Sequence, residues 1–344
     1  MKKTLLVLAG LAVFATSCTK DPIITEPTES TEKPGNGGEE KPDEGGNITP
    51  NSGDYIIPAQ YQQYYSKLDF TKEGTQLKQQ LAKLVKDTHI PQSYTPGIWE
   101  ATEFTDQDPN NTDNVLQIYS WPDKDAKGDI TKMRSVPKEH KNNGTNPSMP
   151  VTSKWEREHV FAKALAVDKA KNQKALTTTY SDDKPTAIED IAGHDAHHLR
   201  AINRSTNSSR SNRKFVDGKG NSKTVGKEYY FPGDDWKGDV ARMMMYMHIR
   251  YENENGGGYT KATKVGMPTD AKTGVLSDEM IDLFLKWNVE DPVDEIERRR
   301  NEYHGNPNNP NYRYSQGNRN PFIDNPELAT RIWGGPKAEN NWSK

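Results

Sequence analysis

The sequence predicts an α+β fold, rich in helix with a small central sheet, and three observations carry that prediction. Apolar residues recur at helical spacing in two long segments, strand signals are sparse, and helix-boundary signals cluster towards the C-terminus. Leu77, Leu81, Leu84 and Val85 share one helical face, as do Val240, Met243, Met244, Met247 and Tyr251. The methionine stripe reads as core packing, because flexible thioethers fill irregular interior gaps. Val115–Ser120 reads as a buried strand. Ser277 is placed to cap a helix running through Trp287, and Asp291-Pro292 reads as an N-cap with proline at the first helical position. A last helix opens at Asn325-Pro326 and stops at Gly334-Gly335.

The N-terminus sets the compartment. Met1-Lys2-Lys3, the apolar run Thr4–Ala15 and Thr16-Ser17-Cys18 have the basic start, short hydrophobic core and small-residue cleavage region of a secretory signal. The run is too short to span a bilayer. Cys18, the only cysteine, stands where a bacterial lipobox places the thiol that is lipidated after cleavage. Residues 1–18 are thus expected to be a lipoprotein signal peptide, and the mature protein an outer membrane lipoprotein facing the periplasm or the cell surface. Residues 19–54 are rich in Pro, Glu, Gly and Thr and bury too little apolar surface to offset the entropy of ordering, so they read as a tether. The folded domain is expected at 55–344. A single cysteine excludes an internal disulfide, so the domain depends on its packed core.

Charge gives little direction. Subtracting the five Lys and nine Asp/Glu of positions 1–54 from the chain's 46 Lys and Arg and 49 Asp and Glu leaves 41 basic and 40 acidic residues. Affinity for phosphate must therefore come from a local patch. Three segments offer one: Trp155-Glu156-Arg157-Glu158-His159-Val160, Asp195-Ala196-His197-His198-Leu199-Arg200 and Asn207-Ser208-Ser209-Arg210-Ser211-Asn212. A carboxylate beside a histidine, a second histidine-rich strand and an Asn/Arg-bearing helical stretch are the parts of a one-metal nuclease site. Residues 161–194 between the first two segments are polar and irregular, a long surface excursion joining two strands.

The order Arg157-Glu158-His159-Val160, Asp195-x-His197-x-Leu199-Arg200, Asn207-x-x-Arg210-Ser211-Asn212 resembles the bacterial endonuclease I family, whose members are periplasmic or extracellular nucleases built on a ββα-metal (His-Me) finger. Gly238–Arg242, Asp291-Pro292 with Glu297–Asn301, and Gln316–Asp324 resemble later blocks of the family in the same order, so the likeness spans about residues 60 to 335. It implies DNA as substrate, with RNA as a further candidate, cut with little sequence preference. It also implies one magnesium ion, replaceable by manganese or calcium, held by Glu158 and Asn207. No protein partner is indicated; the membrane is met through the lipid on Cys18.

Within that frame His159 is the candidate general base, since imidazole can hold or release a proton at working pH. In a strand, however, Glu158 and His159 alternate to opposite faces, so one pocket can use both only if the strand twists or bulges. Arg210, three residues after Asn207, shares its helical side and could grip a phosphate oxygen. Arg200, Arg213 and Arg242 are candidates for the substrate-binding patch, although an ordinary ion pair would equally explain Arg200 and Arg242. Asp195, His197 and Asn212 are expected to support the site. Asn207 capping a helix is the bland alternative to its ligand role. Where many relatives carry Trp-Pro after Glu-His-Val, this chain has Phe161-Ala162, a change expected to affect packing. The competing enzyme reading is a zinc-dependent hydrolase using His194, His197 and His198, although the cluster lacks cysteine and the His-x-x-x-His spacing. A third is a non-catalytic surface lipoprotein that binds nucleic acid.

Overall fold

The computed structural model of the chain describes residues 51–166, 174–254, 259 and 281–343. The expected signal peptide, Cys18, nearly all of the tether and Ser277 lie outside the described residues. Among those described, no helix is long and apolar enough to cross a membrane. The folded body begins by Asn51 and not at residue 55. The Asn51 amide donates to the Leu68 carbonyl at 3.2 Å, and its carbonyl accepts from Phe70 N at 2.8 Å.

Four helices precede the three segments singled out above: α1 (Ala59–Tyr65), α2 (Gly74–Asp87), α3 (Trp99–Thr105) and α4 (Asp123–Ala126). Two lie among those segments, α5 (Ile188–Gly193) and α6 (Arg204–Arg210). Five follow: α7 (Lys237–Arg250), α8 (Asp282–Glu290), α9 (Glu295–Gly305), α10 (Pro321–Asp324) and α11 (Glu327–Trp333). The strands are short: β1 (Gln107–Asp108), β2 (Asn111–Leu116), β3 (Ser135–Pro137), β4 (Trp155–His159), β5 (Leu199–Asn203), β6 (Lys214–Phe215), β7 (Lys223–Val225) and β8 (Tyr229–Phe231). They form three small sheets, ordered β1-β2-β3, β4-β5 and β6-β8-β7, where one central sheet was expected. The α+β class stands, with the strand content divided.

The core forms around α7. Val240, Met243, Met244 and Met247 are buried as their spacing predicts, but so is every other residue from Gly238 to Arg250. A helix buried on all sides is a central one, and α7 packs on α2, α8 and α10. In α2 only Leu77, Leu81 and Val85 are enclosed among the four predicted residues, and Leu84 is half-buried.

Two element boundaries differ from expectation and a third agrees with it. The strand read at Val115–Ser120 runs instead from Asn111 to Leu116, because Tyr119 turns the chain at a φ of 64°. Asp291 does not cap α9: Asp294 does, accepting from Glu297 N while Glu297 reaches back to the Asp294 amide, a complete capping box. Asp291 serves the start of α7, its Oδ2 accepting from Gly238 N at 2.8 Å. The last helix follows Asn325-Pro326 and stops at Gly334, whose φ of 78° favours glycine.

Candidate functional site

β4 and β5 pair antiparallel from Trp155 opposite Asn203 to His159 opposite Leu199, without a bulge, and α6 starts directly after β5. The three segments singled out in the sequence therefore form one strand–strand–helix unit. A cleft of about 800 Å³ opens at its edge, lined by Glu156, Arg157, Glu158 and His159 of β4 and by Arg204, Asn207 and Arg210 of α6. Regular alternation puts Glu156 and Glu158 on one face of β4 and Arg157 and His159 on the other. Both sets reach the cleft because β4 ends at His159, where side chains from either face border the same space. No bulge is needed.

His159 is half-buried, and its Nε2 lies 2.9 Å from the Gly193 carbonyl oxygen at the end of α5. A carbonyl only accepts, so Nε2 carries the proton and the imidazole lone pair falls on Nδ1. Burial, with Lys163 and Arg157 adding positive charge, holds the His159 pKa well below its ordinary value, so the ring is neutral and basic at Nδ1 near pH 7. Gly193 must be glycine here: a Cβ would stand 1.8 Å from the Thr177 carbonyl oxygen.

Glu158, 1 % exposed, forms part of the cleft floor. Its Oε1 receives the Tyr119 hydroxyl and lies beside Arg210 Nε, each at 3.3 Å, which leaves Oε2 for a ligand. Burial pushes its carboxyl up to about 7, against the pull of Arg210 and Tyr119. Asn203, and not Asn207, caps α6, its side chain accepting from Ser205 N and Thr206 N. Asn207 stands in the helix body and donates through Nδ2 to Glu156 Oε1 at 2.7 Å. A carboxylate can only accept, so this bond fixes the amide orientation and leaves Oδ1 as the second free oxygen. Glu156 also accepts from Asn142 Nδ2 at 3.1 Å and Arg204 Nη1 at 3.0 Å. Hard oxygen donors from the Glu158 carboxylate and the Asn207 amide fit magnesium, which takes few protein ligands and keeps several waters.

The arginines part company. Arg210 lines the cleft, but its fork is engaged by the chain: Nη2 donates to the Val160 carbonyl at 2.5 Å, and Nη1 to the carbonyls of Ser211 at 3.0 Å and His159 at 3.4 Å. It braces the end of β4 and neutralises Glu158, which corrects the expectation of a free phosphate grip. Arg200 and Arg242 are corrected outright as substrate contacts, both being 0 % exposed. Arg200 pairs with Asp106 at 2.7 Å and Asp239 at 2.6 Å. Arg242 meets Glu297 through two bonds of 2.7 and 2.5 Å. Arginines this deep are held by carboxylates because a lone buried charge is prohibitively costly. Arg213 bonds the Ser209 carbonyl and stands outside the cleft lining.

Asp195 is enclosed behind β5, accepting from Tyr246 at 2.7 Å, Tyr251 at 2.9 Å, and His197 N and Gln316 Nε2 at 3.0 Å each. His197 Nε2 lies 3.1 Å from the Asn318 carbonyl, so these two residues tie the approach to β5 onto α7 and the Gln316–Asn318 loop. Asn212 is exposed at the cleft margin. The zinc arrangement does not assemble. His194 Nδ1 bonds the Gln92 carbonyl, His197 that of Asn318 and His198 that of Ala192. Among the described residues no three His, Cys, Asp or Glu side chains converge as a metal-holding group.

Sequence reasoning passed over Glu156, Lys163, Arg204, Tyr94 and Tyr180, all of which line the cleft. Period-two alternation from Glu158 was the signal for Glu156. With Arg157, Lys163, Arg204 and Arg210 against Glu156 and Glu158, the cleft is locally cationic in a nearly neutral domain.

Comparison with known proteins gives this arrangement its lineage. The Endonuclease I family model matches residues 73–327, a span that contains every residue lining the cleft. The chain belongs to the endonuclease I family. It is 35 % identical over 293 residues to the extracellular ribonuclease of Bacillus amyloliquefaciens, covering 81 % of each chain. To the extracellular ribonuclease of Bacillus subtilis (strain 168) it is 34 % identical over 274 residues, covering 76 % of this chain and 75 % of that one. As an endonuclease I protein it is a nuclease, hydrolysing nucleic acid within a mixed helical and small-sheet fold.

Proposed function

We propose that this protein is a secreted, lipid-anchored, magnesium-dependent endonuclease that cuts DNA and RNA with little sequence preference, with His159 as general base. One observation carries the mechanism: the Gly193 carbonyl sets the His159 tautomer with the lone pair on Nδ1, and this ring lines the same cleft as Glu158 and Asn207. His159 Nδ1 takes a proton from water as its oxygen bonds to phosphorus. The bond to the 3′ oxygen then breaks, and that oxygen leaves with a proton from solvent, giving a 5′ phosphate and a 3′ hydroxyl. A magnesium ion held by Glu158 and Asn207 would neutralise charge on the phosphate and on the departing oxygen. Lys163 and Arg204 supply positive charge along the cleft wall. No step uses the ribose 2′ hydroxyl, so the chemistry serves DNA as well as RNA, and contacts to phosphate carry no base information. The names of the two relatives support RNA as a substrate, and their being extracellular supports export.

Incubating the full chain with single-stranded DNA, duplex DNA and RNA, in magnesium and in EDTA, tests this reading. Cleavage of all three in magnesium and of none in EDTA is expected; undiminished cutting in EDTA refutes the metal assignment. Anchoring is tested separately: palmitate label should enter the wild type and be absent from Cys18→Ala.

A further inference from the structure

The long excursion between β4 and β5 leaves one large side chain in the open. Tyr180 is 75 % exposed, more than any other large apolar or aromatic residue among those described, and yet it lines the cleft. Its hydroxyl bonds to no group among the described residues. Burying an aromatic ring is strongly favourable, so a ring left in water at the mouth of a binding cleft forgoes that gain.

Its one ring neighbour among the described residues is held firmly. Tyr94 meets Tyr180 edge to face, with centroids 5.6 Å apart and planes at 77°. Tyr94 is 5 % exposed, with the Arg157 guanidinium 3.4 Å from its centroid and the His194 ring stacked at 5.2 Å. The His159 ring lies 5.9 Å from Tyr94. The exposed Tyr180 ring thus stands one ring beyond Tyr94, which itself stacks near the proposed base, in position for a nucleotide beside the one being cut.

We propose that Tyr180, braced by Tyr94, is a nucleobase-stacking subsite that gives the cleft a preference for single-stranded nucleic acid; the proposal rests on the nuclease reading above and deepens it. Every base offers a π-face, so stacking accepts all four and agrees with contacts that do not read base edges. In a duplex each base face is covered by its neighbours, and Tyr180 gains a partner only by unstacking them.

The test is a fluorescence-anisotropy titration of a labelled single-stranded oligonucleotide, and of its duplex, against the full chain in EDTA, with cleavage of the same substrates measured in magnesium. Tyr180→Ala is expected to lower the ratio of single-strand to duplex affinity about tenfold, and Tyr180→Phe to keep it within about twofold. An unchanged ratio in Tyr180→Ala overturns the subsite, as does an equal loss in Tyr180→Phe, which would assign the effect to the hydroxyl. Binding that follows the expected pattern without cleavage by the wild type would sustain the subsite and sink the nuclease reading, so the two failures are distinguishable.

Discussion

The Gly193 carbonyl decides what His159 can do, because the 2.9 Å contact at Nε2 leaves Nδ1 as the basic atom. Burial holds the imidazole pKa well below its usual value, so the ring stays deprotonated as pH falls through the ordinary histidine range. The kcat at saturating magnesium should therefore show no acid limb near pH 6.5; a limb there would mean that the ring titrates normally. Glu158 behaves in the opposite sense. Its carboxyl, raised to about 7, must lose a proton before it can hold a cation, so apparent magnesium affinity should weaken about tenfold per pH unit below about 7. Isothermal titration at pH 5.5, 6.5 and 7.5 reads this directly, and a flat affinity contradicts it. The Glu158-His159 pair was legible in the sequence because its parts are adjacent. Glu156 is marked only by period-two alternation from Glu158, since the Asn207 amide it holds lies 51 positions away. Arg200 and Arg242 stood open between phosphate and an ion pair because an arginine looks the same in sequence whether it faces phosphate or a buried carboxylate.

Among the elements, α5 has the most exacting position. Its last residue supplies the carbonyl that holds His159, and the Thr177 carbonyl leaves no room there for a side chain. Gly193→Ala should therefore move that carbonyl and lower kcat at least tenfold with a smaller effect on KM; wild-type kcat would show that the contact is dispensable. The start of α7 carries a second prediction. Burial raises the Asp291 carboxyl to about 6 from 3.8, against the pull of Gly238 N–H and Arg242. The folded state then binds the proton more tightly than the unfolded one, so the contribution of this group is full below pH 3.8 and lost as pH rises through about 6. Asn keeps the acceptor for Gly238 N without the charge, so Asp291→Asn should raise Tm relative to wild type more at pH 7 than at pH 4, by calorimetry. The core face of α2 was largely readable from period 3.6, whereas α7, enclosed on every side, shows only part of its burial in that period. The start of α9 falls three residues later than Asp291-Pro292 suggests: Asp294 forms the capping box with Glu297, and a tertiary contact assigns Asp291 to α7.

Across the whole molecule, charge is divided between an interior that pairs it and a cleft that displays it. Asp106 joins Arg200 and Arg300, Asp239 meets Arg200, and Glu297 meets Arg242, all enclosed. Arg242→Leu strands the Glu297 carboxylate and should cost about 3–5 kcal/mol in urea unfolding, while the folded fraction keeps its KM for nucleic acid. A raised KM at full stability would return Arg242 to the substrate surface. The near-neutral composition could not show this division, because pairing in the interior cancels charge that the cleft leaves uncancelled. The central claim is that one imidazole, held by one carbonyl, activates the attacking water. It is tested most directly by the kcat of His159→Ala on an RNA oligonucleotide at saturating magnesium, with folding verified by circular dichroism. A fall of about 10²–10⁴-fold is expected; a folded variant that cuts at the wild-type rate would contradict that assignment.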